Sequence, residues 1–138
     1  MSSHNLVGKT KSQGWEIGVS RTLPVDPVKA WDMIMTALGL TPATPHEKPV
    51  YKKGMSFKTE DKTHIEIRSY EQGNMIRIKW QPDGWDFQST LQIRVTPAKT
   101  GTTISVHHEW LQNAEQREKM RLHWTSLLDA FKASLKSG

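Results

Sequence analysis

At 138 residues, with 36% hydrophobic and 24% charged residues, the chain fits one compact domain and excludes both a membrane-embedded protein and a disordered one. The absence of cysteine rules out a disulfide framework, a thiolate metal site and a cysteine nucleophile. Nineteen Lys and Arg against 14 acidic residues leave +5, but the charges are interleaved, as in EQREKMR at 115–121, so a solvated surface is expected and no nucleic-acid interface.

Residues 1–13 are polar and aperiodic and read as a flexible lead-in, without the apolar block of a secretory signal; a single domain is expected over 14–138. No window nears the roughly 20 apolar residues that cross a bilayer, so the expected address is cytoplasmic, and the expected state is a monomer. From Trp15 the residues Ile17, Val19, Arg21 and Leu23 alternate with polar or small ones, the period of a half-buried strand that Pro24 ends. Asp26 followed by Pro27 is a helix start, since the carboxylate caps free amides and proline at the first position loses no useful donor. The helix is predicted to run to about Leu38, with Ala30, Trp31, Ile34, Met35 and Leu38 on one stripe and Gly39 as the stop.

Pro42, Pro45 and Pro49 make 41–53 an extended connection. Five strand-type segments follow, at 55–59, 63–70, 75–81, 87–96 and 102–111, separated by short turns such as Gln72-Gly73-Asn74 and Pro82-Asp83-Gly84. Links this short predict an antiparallel meander. Each strand carries an apolar row: Ile65 and Ile67; Ile76, Ile78 and Trp80; Leu91, Ile93 and Val95; Ile104, Val106, His108 and Trp110. The opposite rows carry Glu66, Arg68, Arg77, Lys79, Gln92 and Arg94, so one face of the sheet is wet. A closing helix at 113–136 places Met120, Trp124, Leu127, Leu128, Phe131 and Leu135 on one arc, with Leu122 opposite. A sheet with one apolar face and a helix with one apolar stripe cover each other, which makes the class α+β.

The order strand, helix, five strands, helix is carried by particular words. Val19-Ser20-Arg21-Thr22-Leu23-Pro24-Val25 leads to Val28-Lys29-Ala30-Trp31-Asp32. Later come Ser89-Thr90-Leu91-Gln92-Ile93-Arg94-Val95-Thr96-Pro97, then Gly101-Thr102-Thr103-Ile104-Ser105-Val106-His107-His108-Glu109, and Glu118-Lys119-Met120-Arg121-Leu122-His123-Trp124-Thr125-Ser126-Leu127-Leu128. Together these resemble the SRPBCC superfamily of START-like and Bet v 1-like proteins, and within it the branch named after the activator of heat-shock protein 90 ATPase. The resemblance covers nearly everything after Gly14 and implies a helix-grip fold, a curved antiparallel sheet of about six strands wrapped on the long C-terminal helix. It departs where many members carry a glycine pair, since only Gly54 stands before Met55, and it is poor over 40–51, where the pocket mouth would lie.

In that fold the space between sheet and helix commonly takes an apolar or amphipathic ligand. The inward set would line it: Trp80, Ile93, Val106, His108, Trp110, Met120, Trp124, Leu127, Leu128 and Phe131, with Trp31 at one end. The same residues equally describe a filled core. His108 is expected among apolar neighbours with its pKa lowered by burial, either as a ligand-orienting group or general base, or as a hydrogen-bonded structural histidine. Arg21 would meet a ligand anion or a carboxylate at the rim. His123 has no metal-ligand spacing around it, and neither a metal nor a cofactor is expected. In Asp83-Gly84-Trp85-Asp86 the first pair makes a turn and Trp85 is expected to pack over the sheet edge.

No catalytic set is recognisable, so three readings stay open. The first is non-catalytic binding of a small hydrophobic or amphipathic ligand. The second, implied by the resemblance alone, is interaction with a heat-shock protein 90-type chaperone. The third is a cyclase, dehydratase or hydrolase using the pocket histidine.

Overall fold

The computed structural model describes residues 9–10 and 14–136. Its elements are β1 (Lys9–Thr10), β2 (Gly14–Leu23), α1 (Pro27–Ala37), β3 (Ser56–Lys58), β4 (His64–Glu71), β5 (Met75–Gln81), β6 (Ser89–Ala98), β7 (Gly101–Leu111) and α2 (Ala114–Lys136). The strands form one antiparallel sheet in the order β1-β2-β7-β6-β5-β4-β3. The meander over β3 to β7 follows from the short turns, and β2 joins its far side by pairing with β7. The two-residue β1 adds a seventh strand within the expected lead-in, whose other residues lie outside those described.

α1 begins as its sequence dictates: Asp26 Oδ1 accepts the Lys29 N–H at 2.8 Å and Pro27 occupies the first turn. Ala30, Trp31, Ile34 and Met35 are buried on its inner stripe, and Gly39, with φ +76°, supplies the left-handed exit. Both helices lie on the inner face of the sheet, α1 across β6 and β7 and α2 across β2 and β7. No helix among the described residues is long and apolar enough to cross a membrane.

The core is built mainly from the predicted rows, with Trp110 left out of it and Leu40, Ala43 and Leu111 added. Ile65, Ile67, Ile76, Ile78, Leu91, Ile93 and Ile104 have no exposed surface at all, so water reaches them neither from outside nor through an internal void. Each such side chain contributes about 1.5–3 kcal/mol by leaving water. The stripe of α2 is narrower than its periodicity suggests: Met120, Trp124 and Leu128 are buried, whereas Leu127, Phe131 and Leu135 are half-covered. Two polar ties hold this helix to β2. Arg21 Nε donates to Asp129 Oδ1 at 2.8 Å, and Arg117 Nε donates to the Glu16 carbonyl at 2.7 Å.

Residues 40–55 contain no regular helix or strand, and the middle of the segment is tied to the sheet by one side chain. Gln72 Nε2 donates to the carbonyls of Thr44 (2.6 Å) and Glu47 (3.0 Å), while its Oε1 accepts from Val50 N–H and the Tyr70 hydroxyl. Gln72→Ala is therefore expected to free this segment, with amide exchange at 44–50 rising at least tenfold while exchange in β5 and β6 is unchanged. Unaltered exchange at 44–50 would show that the segment is held by its apolar contacts instead.

Candidate functional site

Of the inward set, Trp80, His108 and Trp124 meet between the sheet and α2, and Trp31 lies at the α1 end. Trp31, Trp80, Ile93, Val106, His108, Met120, Trp124 and Leu128 are all buried, Leu127 and Phe131 pack against them from the margin, and Arg21 sits at the rim in its ion pair with Asp129. Trp110 is the correction. Ile17 pairs with His108 and Trp15 with Leu111, so Glu16 alone faces two residues of β7, Glu109 and Trp110. This bulge puts Trp110 at φ +62°, turns its indole outward to 43% exposure and gives the next inward slot to Leu111. Strict alternation cannot anticipate a bulge, and because this one follows His108, that imidazole keeps its inward place.

The polar chain around His108 is closed. The Trp124 indole N–H donates to His108 Nδ1 at 3.1 Å, which makes Nδ1 the acceptor and leaves the proton of the neutral ring on Nε2. Nε2 lies 2.8 Å from Ser89 Oγ and donates to it, and the Ser89 hydroxyl in turn donates to the Trp80 carbonyl at 2.7 Å. Both ring nitrogens are thus engaged. Burial, followed by the nearby His123 and His107, pushes the His108 pKa down to about 3, so the ring is neutral throughout the physiological range.

Aromatic rings fill the space around it. Trp80 meets His108 edge-on at 5.2 Å between ring centroids and lies tilted against Trp124 at 5.5 Å, while Trp124 meets His108 edge-on at 5.9 Å. Trp85 lies parallel to His108 at 6.3 Å and stacks on Phe87 at 4.7 Å, closing the β5–β6 end of the interior. Ser89 and Trp85 are the residues periodicity undervalues. Ser89 does carry a signal, because it shares the parity of Leu91, Ile93 and Val95 and so places a hydroxyl on an apolar row. Trp85, expected over the sheet edge, instead packs against Trp80.

At the α1 end, Trp31, Tyr51, Phe57 and Tyr70 form a second aromatic group, where burial, with Tyr51 adding to it, pushes the Tyr70 pKa up to about 12. The Trp31 indole N–H is buried there without an acceptor. Several clefts open on the surface of the domain. One of about 540 Å³ runs between the end of α1 and the β3–β4 turn, lined by Gly39, Leu40, Pro42, Thr59 and Asp61. Two more, of about 260 and 250 Å³, flank Trp85.

An antiparallel sheet holding a long C-terminal helix against its inner face, with a short helix beside it, defines an SRPBCC domain of helix-grip type. Solved structures share this arrangement. A protein of Mesorhizobium loti superposes with a TM-score of 0.63 at 15% identity, covering 88% of this chain and 97% of the other. An HSP90 activator from Plasmodium falciparum gives 0.64 at 17% identity, covering 88% and 96%, and CalU16 from Micromonospora echinospora gives 0.65 at 14%, covering 87% and 73%. At such identities the likeness concerns the fold alone. No curated protein matches the chain at a significant level. The family described as activator of Hsp90 ATPase homolog 1-like protein matches residues 26–136, and the chain belongs to that family.

Proposed function

We propose that the chain acts through its surface, as a non-catalytic domain that engages an Hsp90-type chaperone. The closed interior carries this reading. His108 has both ring nitrogens engaged, and the indoles of Trp80 and Trp124 occupy the space around it, so a small molecule would have to displace well-packed rings to enter. A domain whose core is full binds others by its exterior. Family membership and the fold shared with the Plasmodium falciparum activator point to the same class of partner. The test is the ATPase rate of an Hsp90-type chaperone with and without the purified chain, alongside binding by calorimetry. A saturable rise in rate is expected; neither binding nor stimulation at saturating concentration would end this reading.

One observation favours a second reading, the carrier of a small amphipathic molecule. The Trp31 N–H is a buried donor without an acceptor, the kind of group that a ligand carbonyl or hydroxyl would satisfy. Native mass spectrometry of freshly purified protein should then show a retained mass that is lost in Trp31→Phe. The enzymatic reading gains no such support, because a base held at about 3 with its lone pair already engaged is poorly matched to proton transfer near neutrality.

A further inference from the structure

The bulge that turns Trp110 outward also brings two acids and a histidine together. Glu16 on β2 stands alone opposite Glu109 and Trp110, and His107 precedes Glu109 by two residues, on the same face of β7. One ligand atom from each of Glu16, His107 and Glu109 lies within 4.8 Å of the other two. The face is the outer one, away from His108.

The polar balance of this cluster is incomplete. Glu109 is 1% exposed, an unusual depth for a carboxylate, and its Oε1 has no aligned hydrogen bond. Arg77 Nη2 approaches that oxygen to 2.9 Å as an ion pair, while Arg77 Nη1 donates to Gln92 Oε1 at 3.2 Å. One guanidinium offsets one carboxylate. Glu16 Oε2, also buried and without a hydrogen bond, faces His107 Nε2 at 3.6 Å, beyond hydrogen-bond reach. Like charges held opposite each other across a strand pair are destabilising unless something positive sits between them.

We propose that Glu16, His107 and Glu109 bind a first-row divalent cation of the Zn²⁺ type. Such an ion takes imidazole nitrogen and carboxylate oxygen at about 2.0–2.2 Å, which sets its ligand atoms about 3–3.6 Å apart. His107 and Glu16 already stand at that separation, and Glu109 has a ligand atom within 4.8 Å of both. The imidazole selects against Mg²⁺ and Ca²⁺, which prefer all-oxygen shells. Beside His107 the outer face is open: a groove of about 250 Å³ lined by Gly18, Ser20, Ser105 and His107 lies there, and a Cβ added to Gly18, directly across from His107, would meet nothing within 4 Å. Water would complete the coordination shell, and Arg77 would stay paired with Glu109. The spacing within the sequence hides this site, because its ligands come from strands about 90 residues apart that only the sheet register aligns.

The test uses the full chain, stripped by a chelator and titrated with Zn²⁺ in a calorimeter. One saturable equivalent and a raised melting temperature are expected, with Glu16→Gln and His107→Gln each weakening binding at least tenfold and His46→Gln leaving it unchanged. Melting curves of the metal-free variants establish that they fold. In the wild type, the ring nitrogen resonances of His107 should shift on Zn²⁺ addition. Absence of saturable uptake, uptake that survives both substitutions, or unmoved His107 resonances would each overturn the assignment.

Discussion

Between pH 7 and pH 5 the wild-type chain is expected to lose about 2 kcal/mol of stability through His108 alone, a loss that His108→Gln removes. The ring titrates near 6.5 once unfolded but is held down to about 3 in the folded protein, first by desolvation and then by the neighbouring His123 and His107. In that window the unfolded chain binds the extra proton and the folded chain does not. The contribution is therefore fully present above about 6.5 and declines by about 1.4 kcal/mol per pH unit as the pH falls toward the folded value. His123, lowered by its own burial, acts in the same direction. Urea midpoints of wild type and His108→Gln at the two pH values give the difference directly. Equal slopes would mean that His108 is protonated or solvated in the folded state, and the closed chain through Ser89 and Trp124 would be wrong. His108→Ala adds a packing defect to lost hydrogen bonds and is expected to cost about 3 kcal/mol at pH 7.

Gly101→Ala is expected to cost at least about 3 kcal/mol, although the position is only the first residue of β7, directly after a turn. Gly101 has φ +149°, a conformation that side chains rarely adopt, and a Cβ there would fall on the Leu23 carbonyl oxygen and within 3.0 Å of Pro24 Cα. Those obstacles are backbone, so no rotamer change relieves them. The junction they belong to carries β2 into α1, where Thr102 Oγ1 also donates to the Val25 carbonyl at 2.8 Å. Displacing it would disturb the seating of Trp31. Gly18→Ala, at an open position, is the control and should lie within about 0.5 kcal/mol of wild type. If both alanine variants melt alike, the close approach of Gly101 to Leu23 is not as described.

The elements and their order were legible because each answers to a local rule. Asp26 and Pro27 start a helix whatever surrounds them, Gly39 ends it, and the turn at Gln72-Gly73-Asn74 returns one strand beside the next. The apolar rows of β4 to β7 were legible for the same reason, since the strand period assigns a face to each residue without knowledge of the partner strand. His108 was readable as a buried imidazole. Its role was not, because Ser89 and Trp124 reach it from 19 residues before and 16 after, through contacts that exist only when sheet and helix are assembled.

Sequence alone thus determined the α+β order, the wet and dry faces of the sheet and most residues of the core, Trp110 excepted, all of which follow from short-range periodicity and capping. Tertiary structure decided whether that core is open or full, which way Trp110 faces, and that Glu16, His107 and Glu109 share one point on the outer surface. Volume filling, a bulge and cross-strand register are relations between segments distant in the chain, and no local pattern of residues encodes them.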